Sequence, residues 1–457
     1  MIFRLDPPKF NSTLSSNTHY SVVILIIDAL SQQNFLRSLP RTKTYLDDQG
    51  GILFRGHHKV GHNSYPNVMG LLSGELGGQF PPPHDTGVYY IDKERQLLMP
   101  SVYKQHNYTT MFMEDLNVYA TFTRPGQIGF SEPPVDVYYR EAFKMKFDKH
   151  IENTLVGKAD CYACIQEQMI HVQQFRVIHD FLTTYSDQPT FQHIHMNEYS
   201  HNVLNMAKLY DHDLLEMMKQ LIESRALENK FFFILGDHGF QRGEEPFIFT
   251  KQGTIEDNMP AAYLLPPVNF NKSHGRLHAN LMKNSQKLTS HWDINQMMRE
   301  LLSMSVQKTV YELFPQYEGH GGSLLDDLGD RDCSSAGISD GICQCEGNVA
   351  KLPEPHSSTW TRAIIQDVNT FLSPYDYCQQ LIFHKVRVSN YRLNHEMLMV
   401  KTQFEVGESR NIFEGTFSWS FTSDEFLDNT LVRLDWYSST SKCVPRGLEF
   451  LRPYCIC

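Results

Sequence analysis

Two stretches of the chain are apolar without alternation. Tyr20 to Ile27 (YSVVILII) is rich in β-branched residues and stopped by Asp28, and Phe231 to Gly236 (FFFILG) is followed by Asp237-His238-Gly239. Unbroken apolar sequence of this length marks a strand buried on both faces, the condition of parallel sheets covered by helices. Between the two, Leu204, Leu214, Leu215, Met218, Leu221 and Ile222 recur at helical spacing and predict a crossover helix within Val203 to Ser224. Another helix is predicted over Asp293 to Leu302. Strand and helix thus alternate, which predicts an α/β fold with a mostly parallel sheet flanked by helices. Ligands of such sheets collect at the C-terminal edges of the strands, where Asp28 and Asp237 both stand.

After about residue 350 the pattern changes. Val386 to Val388, Met397 to Phe404 and Phe413 to Phe421 alternate or run β-rich, which predicts a smaller β-rich C-terminal domain. The expected organisation is an N-terminal extension (1–19), a catalytic domain (20–330), and a Cys-containing loop with the β-rich domain (331–457). Pro81 to Pro83, Pro133-Pro134 and Pro266-Pro267 are expected in surface loops.

With 457 residues, 41% hydrophobic and 20% charged, the chain is long enough for a deep site and too apolar for wholesale disorder. A net charge of -11 argues against nucleic acid as partner. The longest aliphatic run, Val22 to Ile27, falls far short of the roughly 20 residues that cross a bilayer, so no transmembrane segment is expected. Seven of the nine cysteines follow residue 330, and Asn11, Asn107 and Asn271 open glycosylation sequons. Both features suit disulfides and an extracellular or secretory-lumen location, although Met1 to Pro8 show no signal peptide. Cys161 and Cys164 have CxxC spacing, read as a local disulfide or as two cysteines with unrelated partners because no second pair completes a zinc site.

Ser64 follows Gly61-His62-Asn63 and opens an apolar helix that runs to Leu72. There a hydroxyl faces the positive end of the helix, which favours an alkoxide and an anionic ester, although an ordinary N-cap serine is placed the same way. Asp28, Asp237 and His238 supply the oxygen and imidazole ligands that a divalent ion at Ser64 requires. Such an ion would bind the serine oxygen and lower its pKa. His57, His58 and His62 precede Ser64 and are read as loop histidines, Glu114-Asp115 as a pocket pair or a turn.

Ile26-Ile27-Asp28, Asn63-Ser64-Tyr65-Pro66-Asn67 with Ser73-Gly74, Asn197 to His201, and Gly236-Asp237-His238-Gly239 stand in the order found in the alkaline-phosphatase and sulfatase superfamily, which the chain resembles. Gly129-Phe130, Pro133 to Arg140, Leu288-Thr289-Ser290, Asp293-Ile294 and Cys333 with Cys343-Gln344-Cys345 resemble an uncharacterised sulfatase-like family, a domain of unknown function abundant in nematodes and insects.

The resemblance implies an alkaline-phosphatase-like fold. It implies a first ion held by Asp28, Ser64, Asp237 and His238, and a second held by His201, Asn197 and a later histidine. That histidine is taken as His291, with His274, His278 and His320 as rivals. Asn197 departs from the Asp of phosphodiesterase-like members, and Val68 from the Arg of sulfatases.

The expected activity is metal-dependent hydrolysis of phosphate mono- or diesters through Ser64 as nucleophile. The expected ions are one or two zinc, with calcium, magnesium or manganese as alternatives, and the expected substrate is a small-molecule or glycan- or lipid-linked anionic ester. The alternatives are a catalytically impaired extracellular binding protein, a sulfatase, and a phosphoethanolamine-type transferase.

Overall fold

A computed structural model describes residues 19–75, 91, 98–116, 120–124, 127–140, 164–165, 168–201, 203–241, 251–315, 319–339, 341–345, 349–393, 397–420, 425–434, 440–445, 448 and 451–457. The Asn11 sequon, Pro81 to Pro83 and Cys161 lie outside the described residues.

The first unbroken apolar stretch is a strand, β1 (Ser21–Ile27), buried along its whole length. It is followed by β2 (Ile52–Leu53), β3 (Gly56–His58), β4 (Thr109–Glu114), β5 (Val137–Tyr138), β6 (Thr190–Met196), β7 (Lys230–Leu235), β8 (Ala262–Leu265) and β9 (Leu288–Ser290). Seven of these form one sheet in the order β2-β8-β7-β1-β6-β4-β5, and β3 pairs with β9 outside it. Strands β7, β1, β6, β4 and β5 are mutually parallel, with β8 and β2 added by antiparallel pairing. This is the α/β, mostly parallel architecture that the apolar pattern implied.

Successive side chains of a strand point to opposite faces, so β1 feeds two cores. Val22, Ile24 and Ile26 join Val68, Met69, Met297 and Leu301, which lie on helices α1 (Ser64–Leu72) and α4 (His291–Val306). Val23, Leu25 and Ile27 face the opposite way, into Ile178, Leu182, Leu214 and Met218 of α2 (Ile170–Thr184) and α3 (Tyr210–Glu223). Burying each such side chain stabilises the fold by roughly 1.5–3 kcal/mol, so the sheet edge that carries Asp28 rests on a fixed floor.

The crossover helix differs from its expected extent. Leu204–Leu209 is a 3-10 helix and α3 begins only at Tyr210. Asp211 and Asp213 stand in its first turn, where negative charge suits the helix dipole. The Asp211 carboxylate also accepts from the backbone N–H groups of Arg41 and Thr42. Ser64 is the first residue of α1, and Asn63 holds the cap position in extended conformation.

The C-terminal part holds an antiparallel sheet of β10 (Val349–Lys351), β11 (Phe383–Leu393), β12 (Met397–Val406), β13 (Asn411–Ser420) and β14 (Glu425–Arg433) in sequential order. A helix, α5 (His356–Leu372), packs Ile364, Ile365 and Leu372 onto it in a core of its own. Disulfides join Cys333 to Cys343, Cys378 to Cys455 and Cys443 to Cys457.

Candidate active site

The C-terminal edges of β1, β7, β6 and β4 bring together four ionisable groups: Asp28, Asp237, His195 and Glu114. Asp28 follows β1 directly and its N–H donates to Met196 O on β6. The next residue, Ala29, has a left-handed backbone (φ 58°), which turns its N–H onto Asp237 Oδ1 at 3.0 Å. The His238 N–H donates to the same oxygen at 2.9 Å.

One oxygen of Asp237 is therefore spent on backbone geometry. The other, Oδ2, has no hydrogen-bond partner and lies 3.4 Å from His238 Nε2. The glycines around Asp237 and His238 are required by space: a Cβ on Gly236 would stand 2.0 Å from Leu30 O, and one on Gly239 1.9 Å from Glu256 O.

His238 Nδ1 lies 2.7 Å from Gly239 O. A carbonyl only accepts, so Nδ1 carries the ring proton and Nε2 presents a lone pair. That lone pair faces Ser64 Oγ at 3.3 Å, Asp237 Oδ2 at 3.4 Å and Asp28 Oδ1 at 3.8 Å. Ser64 is thus turned into the site instead of capping its helix. The loop ahead of it is held by Asn67, whose amide oxygen accepts from Val60 N and Gly61 N while its amide nitrogen donates to Gly61 O and Asn63 O.

Burial alone would raise the Asp237 carboxyl, but His238, His195 and Ser64 beside it, together with the Ala29 N–H, hold it below the usual carboxylate range. The direction favours the anionic form that a cation would meet.

The residues expected at a second ion are placed differently. His291 is buried, but both ring nitrogens are engaged: Nε2 donates to Asp237 O at 2.8 Å, and Nδ1 accepts from His57 Nε2 at 3.2 Å. His57 Nδ1 in turn meets Thr289 Oγ1 at 3.1 Å. The one lone pair of the neutral His291 ring, on Nδ1, is thus shared with His57 in this arrangement. His291 holds the Asp237 backbone from behind.

The rivals stand on other elements. His274 Nδ1 bonds the Tyr20 hydroxyl, His320 packs on Trp292, and His278 lies on the helix Gly275–Asn284. Asn197 follows β6, with its N–H and side-chain N–H both donated to Asp115 Oδ1 at 2.9 Å. His201 stands one turn on, its N–H donating to Asn197 O at 3.1 Å. Burial pushes the Asp115 carboxyl up, against the hydrogen bonds from Asn197 and Glu198.

Among the described residues, Asp28, Asp237 and His238 offer ligand atoms all within 4.8 Å of one another, and neither His201 nor His291 belongs to that group. The donor set fits a divalent cation. Two buried carboxylates and the His238 lone pair converge on Ser64, an arrangement that a cation among them would stabilise.

The sequence missed His195. It is fully buried on β6, and its Nε2, without a hydrogen-bond partner, points between the two acids. The one signal was its place, two residues before Asn197, at the end of a segment whose polar residues hid the strand.

A model of a protein family of unknown function, DUF229, matches residues 2–387, and the chain belongs to that family. No curated protein matches it. Solved structures to which it is similar include a protein in the alkaline phosphatase superfamily from Vibrio parahaemolyticus, at 13% identity over 96% of this chain and 90% of that one, with TM-score 0.45. Others are the C-terminal periplasmic domain of the phosphoethanolamine transferase EptC from Campylobacter jejuni (12% identity, 69% and 96% covered, TM-score 0.41) and the lipoteichoic acid synthase LtaP from Listeria monocytogenes (10%, 90% and 87%, 0.41).

Proposed function

We propose that this chain is a metal-dependent hydrolase of phosphate mono- or diesters, with Ser64 as nucleophile and Asp28, Asp237, His238 and the Ser64 oxygen as ligands of a divalent ion. The observation that carries the reading is the convergence of Ser64 Oγ, His238 Nε2 and the two buried acids at one point of the sheet edge. Two carboxylates and an imidazole suit zinc best. His201 and Asn197, on the turn that follows β6, with His291 as the later histidine, remain the proposed donors for a second ion.

When bound, the ion supplies positive charge that stabilises the serine alkoxide and the anionic ester. The chain does the rest. Ser64 Oγ forms the bond to phosphorus as the bond to the leaving alcohol breaks, and water then cleaves the phosphoserine and restores Ser64. The N-terminal end of α1, where Ser64 is the first residue, places the positive end of the helix beside the oxygens on which charge builds. Asn67 keeps the preceding loop from moving that oxygen.

The substrate class is a small-molecule or glycan- or lipid-linked anionic ester, in an extracellular or secretory-lumen setting. Three disulfides support the compartment, and among the described residues no helix is long and apolar enough to cross a membrane.

The test is metal content with turnover of aryl phosphate, phosphodiester and sulfate esters, for wild type, Ser64→Ala and Asp237→Asn. The expected result is phosphate-ester turnover that a chelator removes and that Ser64→Ala lowers by at least about 10³-fold. Turnover unchanged in Ser64→Ala would overturn the reading, and a metal-free, inactive wild type would favour a binding protein on an enzyme fold.

A further inference from the structure

One short stretch of chain, 256–261, runs behind the three arms that carry Asp28, Asp237 with His238, and Ser64. The Asp28 arm is joined to it by the Gln32 N–H, which donates to Met259 O at 2.9 Å, and by the Ala261 N–H, which donates to Leu30 O at 2.9 Å. The Asp237 arm is joined by the Gly236 N–H, which donates to Ala261 O at 2.8 Å, and the Gly239 N–H, which donates to Asp257 O at 2.9 Å. The Ser64 arm is joined by the Lys59 N–H, which donates to Asn258 O at 3.0 Å, and by side chains. Lys59 Nζ donates to Asp257 Oδ1 at 2.6 Å. Gln241 Nε2 donates to the same oxygen at 2.8 Å and also to His62 O.

We propose that Lys59 and Asp257 are a positioning pair for the reaction, holding the loop that carries Ser64 in its place against His238. This rests on the reading of Ser64 as nucleophile and adds to it what sets the 3.3 Å between Ser64 Oγ and His238 Nε2.

The two members of the pair belong to different arms. Asp257 holds Gly239, next to His238, by its backbone oxygen, and Lys59 by its carboxylate. On the other side, Asn67 bonds Val60, Gly61 and Asn63, so the loop and the start of α1 form one body. A bond at Lys59 or His62 therefore fixes Ser64 as well. The Lys59 side chain is fully buried. A buried ion pair is a poor source of stability beside apolar side chains of the same volume, but its charges are matched in one geometry only, which suits it to fixing a position. Misplacing a reacting group by about 1 Å can cost about 10²-fold in rate.

The experiment is steady-state kinetics of the full chain loaded with zinc on 4-nitrophenyl phosphate, for wild type, Lys59→Met, Asp257→Asn and the double variant, each well below its melting temperature. The expected result is a kcat lower by about 10–100-fold in each single variant with KM within about threefold of wild type, and a double variant no worse than the poorer single one. A pair that serves only the fold would lower the melting temperature and leave kcat unchanged, and that outcome would overturn the proposal.

A wild type without turnover would overturn the Ser64 reading instead, and hydrogen exchange then tests the pair. Peptides covering 60–65 are expected to exchange faster in Lys59→Met than in wild type while β1 keeps its protection, and unchanged exchange at 60–65 overturns the proposal. Should the buried pair not tolerate substitution, Gln241→Leu removes the bridge from Asp257 to His62 O and leaves the pair in place. It is expected to lower kcat and to speed exchange at 60–65, and no change in either overturns the proposal.

Discussion

At Asp237 the two carboxylate oxygens have separate tasks, Oδ1 accepting from two backbone N–H groups and Oδ2 facing the histidines. Asp237→Asn keeps an oxygen for the first task and removes the charge needed for the second. The variant is expected to fold with a melting temperature near that of wild type while metal affinity falls by at least about 10-fold, read by chelator competition; undiminished affinity would count against Asp237 as a ligand.

His57 is a different case, since its ring bonds Thr289 and His291 behind the site. His57→Ala leaves His291 Nδ1 buried without a partner, at a cost of about 1–3 kcal/mol, to be measured by urea unfolding. Asp28, Ser64, Asp237 and His238 were legible because each ends an apolar strand or opens an apolar helix. His195 was not, because Gln192, His193 and His195 interrupt the apolar run of β6, although all seven of its residues are buried. For His291 the spacing reveals a histidine and not what its two nitrogens face.

The elements show the same division. Strands β1 and β7 announce themselves by unbroken apolar sequence, whereas β4 and β6 carry buried Thr, Gln and His whose partners lie on other elements. In the C-terminal part three strands were visible by alternation, but α5 was not, its buried side being a narrow stripe of Ile364, Ile365 and Leu372 with Ser357 and Thr361.

The pairing of β3 with β9 sets a pH limit through the rings it aligns, because His57 is on β3 and His291 follows β9. Burial holds His57 well below the ordinary imidazole value, with His291 and His58 pushing the same way; burial also lowers His291 to about 4. In the unfolded chain both rings return to about 6.5. Below pH 6.5 the unfolded state therefore binds more protons, so stability is full above that pH and is lost as pH falls toward 4. The melting temperature is expected to drop across this window, and less steeply in His57→Asn. A flat profile in wild type would contradict the neutral pair.

Across the whole molecule, the C-terminal sheet reaches the approach to the nucleophile. Lys401 and Glu414, 2.9 Å apart on β12 and β13, act with Lys59 and Asp257 on His62, which burial lowers to about 4. His58 ties the cysteine loop to β3, its Nε2 accepting from Gln344 N at 3.1 Å. The late cysteines made this cross-linking legible, but the pairing came only with the fold.

The Cys378–Cys455 bridge spans 77 residues. Replacing both cysteines with serine is expected to destabilise the C-terminal sheet by about 2–5 kcal/mol, seen as an earlier denaturant transition with metal binding at Asp28 and Asp237 retained.

Ser64 is expected to form a covalent bond to phosphorus during turnover. The direct measurement is mass spectrometry of the Ser64 peptide after acid quench during turnover of an aryl phosphate ester. The expected result is the added mass of one phosphoryl group on Ser64, absent without substrate and in Ser64→Ala. Turnover with Ser64 unmodified at every quench time, or a formylglycine at position 64, would contradict it.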